Sequence, residues 1–300
     1  MSSFDTNTIS FSVVIPTYNR AQLLRELLIS FLTQTYKNFE LIICDDGSTD
    51  NTSQVVSEFS DRLKIIYEVF KNTGGPAFPR NRGIELSKND WVCFLDSDDL
   101  WTNDKLRVLA DYISSDKSSI FCHPVHLINA QNKKSGIIGK YKKSFCLSDF
   151  ESLLYNGSQI VNSSLCIKRS ILTKSFFYKT DYHYQAIEDY IFILNLSYFG
   201  HKIKCISKTL GYYRVHDSNI SADLSKQISK WKIYFQTLPF PIANYAKIDS
   251  LVLYLEMNLD KYNKAEKISA YTKLLFSKNC SFEIKKKSLV KLLLNFVKTS

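Results

Sequence analysis

The chain has 300 residues, of which 45% are apolar and 23% are charged, and it carries a formal net charge of +10. This length is enough for one large domain or two small ones, and the composition is that of a globular protein. No stretch reaches the ~18 uninterrupted apolar residues of a membrane-spanning helix, and residues 1–10 lack the basic-then-apolar order of a signal peptide.

The first hundred residues alternate strand and helix patterns. Apolar runs predict four buried strands, and helical spacing of apolar residues together with helix-starting turns predicts the helices between them. The predicted strands are Phe11–Pro16, Phe39–Cys44, Leu63–Val69 and Trp91–Leu95, and the predicted helices are Ala21–Thr33, residues 50–60 and residues 77–88. Strands separated by helices of this length predict an α/β fold, in which helices flank a mostly parallel central sheet.

The pattern after residue 118 is less regular. Strands are predicted near residues 119–128, 163–168 and 202–215, and helices near residues 148–156 and 187–198. From residue 225 onward the pattern indicates helices alone, so we expect an α/β domain at residues 1–224 and a helical region at residues 225–300. Within that region, the apolar residues of Glu283–Lys298 predict an amphipathic helix with lysines on its opposite face.

Positive charge is concentrated in the helical region. Residues 225–300 contain 14 lysines and 5 acidic residues, a balance of +9, whereas residues 1–224 contain 25 lysines and arginines against 24 acidic residues. This asymmetry favours an anionic partner, and a membrane surface is expected before nucleic acid.

Seven cysteines are scattered along the chain without a C-x-x-C pair, and several lie within apolar runs, as Cys44 and Cys93 do. This pattern is typical of reduced thiols in a protein core. We therefore expect a cytoplasmic location.

Three predicted strands end in clusters of polar residues, at Pro16–Arg20, Asp45–Ser48 and Asp96–Asp99. Each cluster alone could reflect turn chemistry, because Asp, Asn, Gly and Ser favour turns. Open parallel sheets, however, bind ligands beyond the C-terminal ends of their strands. Three clusters at one edge therefore predict a ligand site, and the carboxylates of the third suit a divalent cation held against a phosphate-bearing ligand.

The motif order VVIPTYNR, ICDDGSTDNT, PRNRGIE and FLDSDDLW resembles the family 2 glycosyltransferases, which have the nucleotide-sugar-binding GT-A fold. Downstream, VNSSLCIKRSIL, IEDYIFILNLSYFG and YYRVHDSNIS look like acceptor-side motifs of bacterial polysaccharide and O-antigen members. The resemblance covers roughly residues 10–222. It implies transfer of a sugar from a nucleotide-sugar to a hydroxyl of a saccharide or lipid-linked saccharide, with possible peripheral contact at the inner membrane.

The resemblance implies a nucleobase pocket lined by three residues of the first cluster, Pro16, Thr17 and Tyr18. Asp45 or Asp46, with Asp46 preferred, would accept a hydrogen bond from the imide N–H of a pyrimidine. Such an acceptor favours uracil or thymine over cytosine, so a UDP-sugar is the expected donor. Arg80 or Asn81 would lie near the base or the phosphates, and a solvated helix residue is the alternative for Arg80.

The resemblance also implies that Asp96, Ser97 and Asp98 form a DxD-type motif. Asp98 would coordinate Mn²⁺ or Mg²⁺ that bridges the diphosphate, and Asp96 would contact the ribose or a metal-bound water. His216 matches a position that completes the metal site in some relatives, although a lone histidine is more often structural. Asp99 has a structural alternative, as the cap of the helix that follows.

On the acceptor side, the resemblance implies that Asp189 is the general base, with in-line attack on the anomeric carbon and inversion. Glu188 would orient the acceptor, Ser163 and Ser164 would belong to the acceptor-side wall, and Arg214 is a candidate phosphate contact. The alternatives are structural. Acidic residues are favoured at a helix N-terminus by its dipole, and serine hydroxyls can satisfy nearby backbone groups.

Other function classes fit the motifs less well. A sugar nucleotidyltransferase typically has a Gly-rich basic loop after its first strand, and Pro16–Arg20 contains no glycine. A dinucleotide-dependent oxidoreductase would show G-x-G-x-x-G at the same place. A catalytically inactive module that binds a nucleotide-sugar or a glycan stays open, although Asp96, Asp98 and Asp189 are all present.

Overall fold

The structure is a computed structural model that describes residues 9–141, 143–147, 150–156, 158–215, 224–236, 245–258 and 262–297. The chain divides into two compact units. The first comprises Met1–Ser148, Gln159–Tyr182 and Ile191–Asp217, and the second comprises Asp149–Ser158, His183–Tyr190 and Ser218–Ser300. The boundary predicted between residues 224 and 225 stays a prediction.

The described residues form twelve strands in two sheets. The strands are β1 (Phe11–Thr17), β2 (Phe39–Asp45), β3 (Ile65–Val69), β4 (Trp91–Phe94), β5 (Leu100–Trp101), β6 (Ile120–Cys122), β7 (Val125–Ile128), β8 (Lys134–Ile138), β9 (Phe145–Leu147), β10 (Cys166–Lys168), β11 (Ile203–Cys205) and β12 (Gly211–Arg214). The larger sheet has the order β3-β2-β1-β4-β10-β6-β11-β9, and the smaller has the order β5-β12-β7-β8.

Strand β1 lies between β2 and β4, and the four strands β3, β2, β1 and β4 run parallel. Strand β10 then pairs antiparallel with both β4 and β6, and β9 pairs antiparallel with β11. The sheet is therefore parallel where the first hundred residues build it and mixed beyond β4. The predicted α/β fold with a central sheet and flanking helices is confirmed.

Ten α-helices lie in the described residues: α1 (Ala21–Leu32), α2 (Thr52–Phe59), α3 (Ala77–Leu86), α4 (Lys105–Ser115), α5 (Phe150–Asn156), α6 (Glu188–Tyr198), α7 (Leu224–Gln236), α8 (Tyr245–Glu256), α9 (Lys264–Phe276) and α10 (Phe282–Val297). Helix α1 buries Leu24, Leu27, Leu28 and Phe31, which recur at the helical spacing that predicted it. None of the described helices is long and apolar enough to cross a membrane.

Helix α3 packs closely on β1 because Gly83 lacks a side chain. A Cβ atom at Gly83 would lie 2.2 Å from Val14 Cγ1, far inside van der Waals contact. This close approach fixes α3, which carries Arg80 and Asn81, against the centre of the parallel strands.

Two predicted strands are each divided between the two sheets. Residues 119–128 form β6 and β7, separated by His123 and Pro124, and residues 202–215 contain β11 and β12. Pro124 has no N–H to donate to a strand ladder, which explains the first division. Strands β8 and β9 were not predicted, because their side chains are mostly exposed and the sequence there has no buried apolar run.

The second unit has its own apolar core, which α8, α9 and α10 supply. Its buried residues are Leu251, Met257, Tyr271, Leu274, Cys280, Ile284 and Leu292. Helix α10 differs from the predicted amphipathic helix, because Ile284, Ser288 and Leu292 face inward whereas Leu289 and Val290 are exposed. Of the predicted apolar face, the residues whose burial the structure describes are thus divided between the core (Leu292) and the surface (Leu289 and Val290).

Candidate active site

The C-terminal ends of β1, β2 and β4 meet at one edge of the sheet, and hydrogen bonds join the loops that follow the first two. Asp46 N–H donates to Thr17 O at 2.9 Å, and Asn19 N–H donates to Ser48 Oγ at 2.9 Å. The Asn19 side chain in turn accepts the Thr49 N–H at 2.7 Å. Asn19 has a left-handed backbone with φ of 51°, a conformation that asparagine tolerates better than most residues.

The two adjacent aspartates at the end of β2 have different surroundings. Asp45 is buried, and its two carboxylate oxygens accept hydrogen bonds from Ser48 N–H at 2.8 Å and from the Tyr67 hydroxyl at 2.6 Å. Burial and the Asp45 carboxylate raise the pKa of Tyr67 above its usual range, so Tyr67 remains a donor. Both oxygens of Asp45 are thus used to hold the β2–β3 edge.

Asp46 uses only one carboxylate oxygen within the described part of the chain. Its Oδ1 accepts hydrogen bonds from Thr73 N–H at 2.8 Å and from the Thr73 hydroxyl at 2.7 Å. No described residue bonds to Oδ2. Gly47, with φ of +80°, makes the turn directly after it, where a Cβ would lie 2.9 Å from Phe70 O. Asp46 is therefore the carboxylate with an oxygen available to a ligand.

The three residues predicted to line a nucleobase pocket lie beside this carboxylate. Pro16 and Thr17 are buried at the end of β1, and Tyr18 is 46% exposed. The Thr17 hydroxyl is buried and has no hydrogen-bond partner among the described residues. A buried polar atom without a partner is costly, so Thr17 offers a hydrogen bond to a bound ligand.

Each aspartate of the predicted DxD motif is paired with an arginine. Arg20 Nη1 lies 2.6 Å from Asp98 Oδ2, and Arg80 Nη2 lies 2.7 Å from Asp96 Oδ1. Arg20 comes from the loop after β1, so this pair joins two of the three polar clusters. Ser97, between the two aspartates, is buried.

Arg80 and Asn81 contact Tyr178. Arg80 is 4% exposed, and its guanidinium stacks over the Tyr178 ring at 5.3 Å. The alternative of a solvated Arg80 is therefore wrong. Asn81 accepts the Tyr178 N–H at 2.7 Å and donates to Tyr178 O at 2.8 Å. Since both ends of its amide hold the backbone, Asn81 positions this segment rather than facing a base or phosphate.

Asp99 does not cap the following helix, because α4 begins only at Lys105. Its carboxylate is buried and accepts the Ser163 hydroxyl at 2.5 Å and the Arg214 N–H at 2.9 Å. Burial raises the pKa of the Asp99 carboxyl well above its usual range, and the charges of Asp98 and Asp96 raise it further. Asp99 thus connects the loop that carries the DxD motif, Asp96–Asp99, to β12 through the Arg214 N–H.

Ser163 and Ser164, predicted for the acceptor-side wall, are buried, and both hydroxyls bond to other groups of the protein. Ser163 Oγ accepts the Asp96 N–H at 3.1 Å while it donates to Asp99. Ser164 Oγ donates to Val161 O at 2.6 Å. The alternative, in which a serine hydroxyl satisfies local backbone, describes Ser164. Ser163 instead supports the DxD loop, Asp96–Asp99.

Lys105 is a residue of this network that the sequence did not single out. It is fully buried, its Nζ donates to Ser163 O at 3.0 Å, and it lies 3.4 Å from the Trp101 ring centroid. Burial lowers the pKa of Lys105 to about 7. A lysine at the start of an amphipathic helix gives no signal of burial, because most such lysines are solvated.

Arg214, predicted as a candidate phosphate contact, bonds to the DxD loop. Its side chain is buried and donates to Asp98 O at 2.9 Å and to Asn132 Oδ1 at 2.8 Å. It also pairs with Glu26 of α1 at 3.0 Å. His216, predicted as a metal ligand, lies outside the described residues.

The carboxylates of Asp96 and Asp98 suit a hard divalent cation, because Mn²⁺ and Mg²⁺ prefer oxygen ligands. The negative charge of both side chains contributes to the raised pKa of Asp99, so a cation here would relieve electrostatic crowding. Among the described residues, no group of three or more His, Cys, Asp or Glu side chains is placed to hold a metal.

Glu188 and Asp189, the predicted acceptor-side pair, are the first two residues of α6. Glu188 is buried. Asp189 Oδ1 accepts the N–H of the next residue, Tyr190, at 2.7 Å, and both acidic residues lie in the first turn, where the helix dipole favours negative charge. This bond uses one oxygen of the Asp189 carboxylate.

Comparison with known proteins gives a match to one family model, "Glycosyl transferase family 2", over residues 12–174. That range contains all three polar clusters and Ser163. A relative in Escherichia coli, UDP-Glc:alpha-D-GlcNAc-diphosphoundecaprenol beta-1,3-glucosyltransferase WfgD, is 26% identical over 261 residues, which cover 85% of this chain and 98% of the relative.

Two solved structures are similar in fold. Staphylococcus aureus TarS, in complex with UDP-GlcNAc, matches with a TM-score of 0.60 and 18% identity over 96% of this chain and 81% of that one. The mannosyltransferase PcManGT of Pyrobaculum calidifontis, in complex with GDP-Man and Mn²⁺, matches with a TM-score of 0.58 and 16% identity. The match covers 97% of this chain and 82% of that one.

Proposed function

The chain belongs to glycosyl transferase family 2, and from this premise we propose that it moves a sugar from a UDP-sugar to a hydroxyl of a lipid-linked saccharide in bacterial surface polysaccharide synthesis. The observation that carries the choice of donor is the Asp46 carboxylate, whose Oδ2 is not used by any described residue. A carboxylate accepts from the imide N–H of uracil, which cytosine lacks. The lipid-linked acceptor is supported by WfgD, whose name gives a diphosphoundecaprenol acceptor.

The donor site is assigned to the edge formed by β1, β2 and β4. Asp46 and the Thr17 hydroxyl bind the base. Asp98 would hold Mn²⁺ or Mg²⁺ at the diphosphate, and Asp96 would contact the ribose or a metal-bound water. The metal would offset the negative charge on the leaving diphosphate. Arg20 and Arg80 pair with the two aspartates, and they are assigned to the same phosphates.

Transfer itself is assigned to Asp189 as general base. The acceptor oxygen forms a bond to the anomeric carbon while the bond from that carbon to the diphosphate oxygen breaks, and the configuration inverts. Asp189 takes the proton from the acceptor hydroxyl. One base is sufficient because the diphosphate leaves as an anion that needs no protonation. Glu188 is assigned to the acceptor side.

A transfer assay with a panel of UDP-sugars and a GlcNAc-diphosphate-lipid acceptor tests this function. Asp189→Asn keeps an oxygen that accepts the Tyr190 N–H, so the helix end is preserved while the base is lost. We expect kcat to fall by about 10²- to 10⁴-fold with UDP affinity unchanged. Glu188→Gln is the matched control, with a smaller loss. An Asp189→Asn enzyme with the wild-type kcat would remove the assignment of the base.

A further inference from the structure

The end of the second unit exposes large apolar side chains that its core does not use. Phe276 ends α9 and is 78% exposed, and Phe282 begins α10 and is 77% exposed. Helices α9 and α10 pack against each other and are joined by only five residues, 277–281. They therefore form an αα-hairpin, and both phenylalanines lie at its tip.

The outer face of α10 continues this apolar character. Phe282, Lys286, Leu289 and Val290 recur at the i, i+4, i+7 and i+8 spacing of one helix face, and all four are exposed. The opposite face of the same helix carries Ile284, Ser288 and Leu292, which are buried. We call the exposed set the hairpin-tip surface, and it consists of Phe276, Lys278, Phe282, Lys286, Leu289 and Val290.

The charge around this surface is strongly positive. Residues 267–297 contain seven lysines and a single acidic residue, Glu283. Lys273, Lys278 and Lys286 are exposed. Exposed aromatic side chains flanked by lysines match the chemistry of an anionic lipid surface, where rings enter the boundary between headgroups and acyl chains while ammonium groups contact phosphates.

A second copy of this chain is a poorer occupant. A two-fold symmetric contact would bring the same lysines of two protomers against each other. The two aromatic and two aliphatic side chains also expose only on the order of 400 Å², about half of the ~800 Å² that each partner contributes to a stable protein interface.

We propose that the hairpin-tip surface docks the protein on anionic membranes, with Phe276 and Phe282 inserted and Lys278 and Lys286 on the headgroups. This inference rests on the proposed function in one respect, because a lipid-linked acceptor lies in the membrane and docking would bring the enzyme to it. The surface lies wholly within the second unit. It does not include any residue assigned to the donor site or to catalysis.

Co-sedimentation of the full chain with vesicles tests the proposal, using phosphatidylcholine alone and phosphatidylcholine mixed with phosphatidylglycerol. We expect binding to the mixed vesicles, weakened by salt, and little binding to the neutral ones. Phe276→Ser combined with Phe282→Ser is expected to weaken binding by about 10- to 100-fold, and Lys278→Glu combined with Lys286→Glu by at least about tenfold.

Tyr182→Ser is the matched control, because Tyr182 is 75% exposed and lies in the first unit, and it should bind like the wild type. Thermal unfolding checks that the variants fold. Equal vesicle binding by the wild type and the double-phenylalanine variant would overturn the proposal. Failure of the wild type to bind the mixed vesicles would also overturn it. The same holds if the wild type is a dimer and the phenylalanine substitutions dissociate this dimer without affecting vesicle binding.

The proposed function fails separately from this inference. Vesicle binding is measured without donor or acceptor, and transfer can be measured on an acceptor with a short, water-soluble lipid chain. Transfer that persists in a wild type unable to bind vesicles overturns only the docking surface. Absence of transfer with every UDP-sugar, in a protein that binds vesicles, overturns only the transferase assignment.

Discussion

Arg20 Nη1 lies 2.6 Å from Asp98 Oδ2, so the second carboxylate of the DxD motif is neutralised by a side chain from the loop after β1. Both side chains are partly exposed, at 23% and 17%. Pairs at such positions are weak and exchange readily. A divalent cation would therefore compete with Arg20 for the Asp98 carboxylate. A diphosphate would compete with Asp98 for the Arg20 guanidinium.

The first prediction follows from this competition. Replacing Arg20 with Met should tighten Mn²⁺ binding to the ligand-free protein by about two- to fivefold, because the cation no longer displaces a paired guanidinium. Free Mn²⁺ can be titrated by electron paramagnetic resonance. Arg25→Met is the control, since Arg25 of α1 forms a surface ion pair with Glu58 of α2, away from the DxD motif. Unchanged Mn²⁺ affinity in Arg20→Met would show that the pair does not oppose the metal.

The second prediction separates Asp46 from Asp45. Asp46→Asn should weaken UDP binding by about 10- to 100-fold, because a hydrogen bond from the base to a charged acceptor is lost. It should also narrow the preference for UDP over CDP, since an amide can donate to cytosine. In Asp45→Asn, the amide can still accept from Ser48 and donate to Tyr67, so UDP affinity should be nearly unchanged. A larger loss in Asp45→Asn, measured by calorimetry, would reverse the assignment.

The third prediction concerns the support of the DxD loop. The Ser163 hydroxyl donates a hydrogen bond to the buried Asp99 carboxylate and accepts one from the Asp96 N–H. Ser163→Ala removes both bonds. We expect a loss of about 1–3 kcal/mol in the free energy of unfolding and weaker metal-dependent UDP binding. Ser164→Ala removes an equally buried hydroxyl that bonds only to Val161 O, so UDP binding should persist. Identical UDP affinities in the two variants would contradict a positioning role for Ser163.

The fourth prediction is a pH dependence of stability. The pKa of Lys105 falls from 10.5 to about 7 on folding, so between these values the unfolded chain binds a proton that the folded chain does not. The free energy of unfolding, relative to that of Lys105→Met, should then rise with pH by at most about 1.4 kcal/mol per pH unit. Below pH 7 the cost of burying the charge is fully present and the difference should level off. Urea unfolding of both proteins between pH 6 and 9 measures this, and a constant difference would contradict it.

The sequence predicted those parts of the site that adjacent residues determine. Apolar runs that end in Asp45 or Asp96 place carboxylates at the end of a strand, because a buried strand must deliver its charged neighbours to an edge. What the sequence could not show depends on contacts between distant residues. Asp99 is buried because Ser163 and the backbone of Arg214 reach it from 64 and 115 residues away.

Contacts between distant residues also decide the surroundings of Ser163, Ser164 and Asn81. Ser163 and Ser164 are adjacent and chemically identical, and only the fold directs one hydroxyl to the DxD loop and the other to local backbone. Asn81 follows Arg80 on α3, yet it holds the main chain of Tyr178, a residue 97 positions later. Side-chain direction at such positions is set by tertiary packing, which residue types alone do not encode.

The most direct test of the donor site is calorimetric measurement of UDP binding, with and without Mn²⁺, for the wild type and Asp98→Asn. The structure predicts that Mn²⁺ strengthens UDP binding to the wild type and that Asp98→Asn loses at least about tenfold of this gain, as expected when a carboxylate ligand of the metal is removed. UDP binding that is indifferent to Mn²⁺ and to Asp98→Asn would contradict the assignment of Asp98 to a metal-assisted diphosphate site.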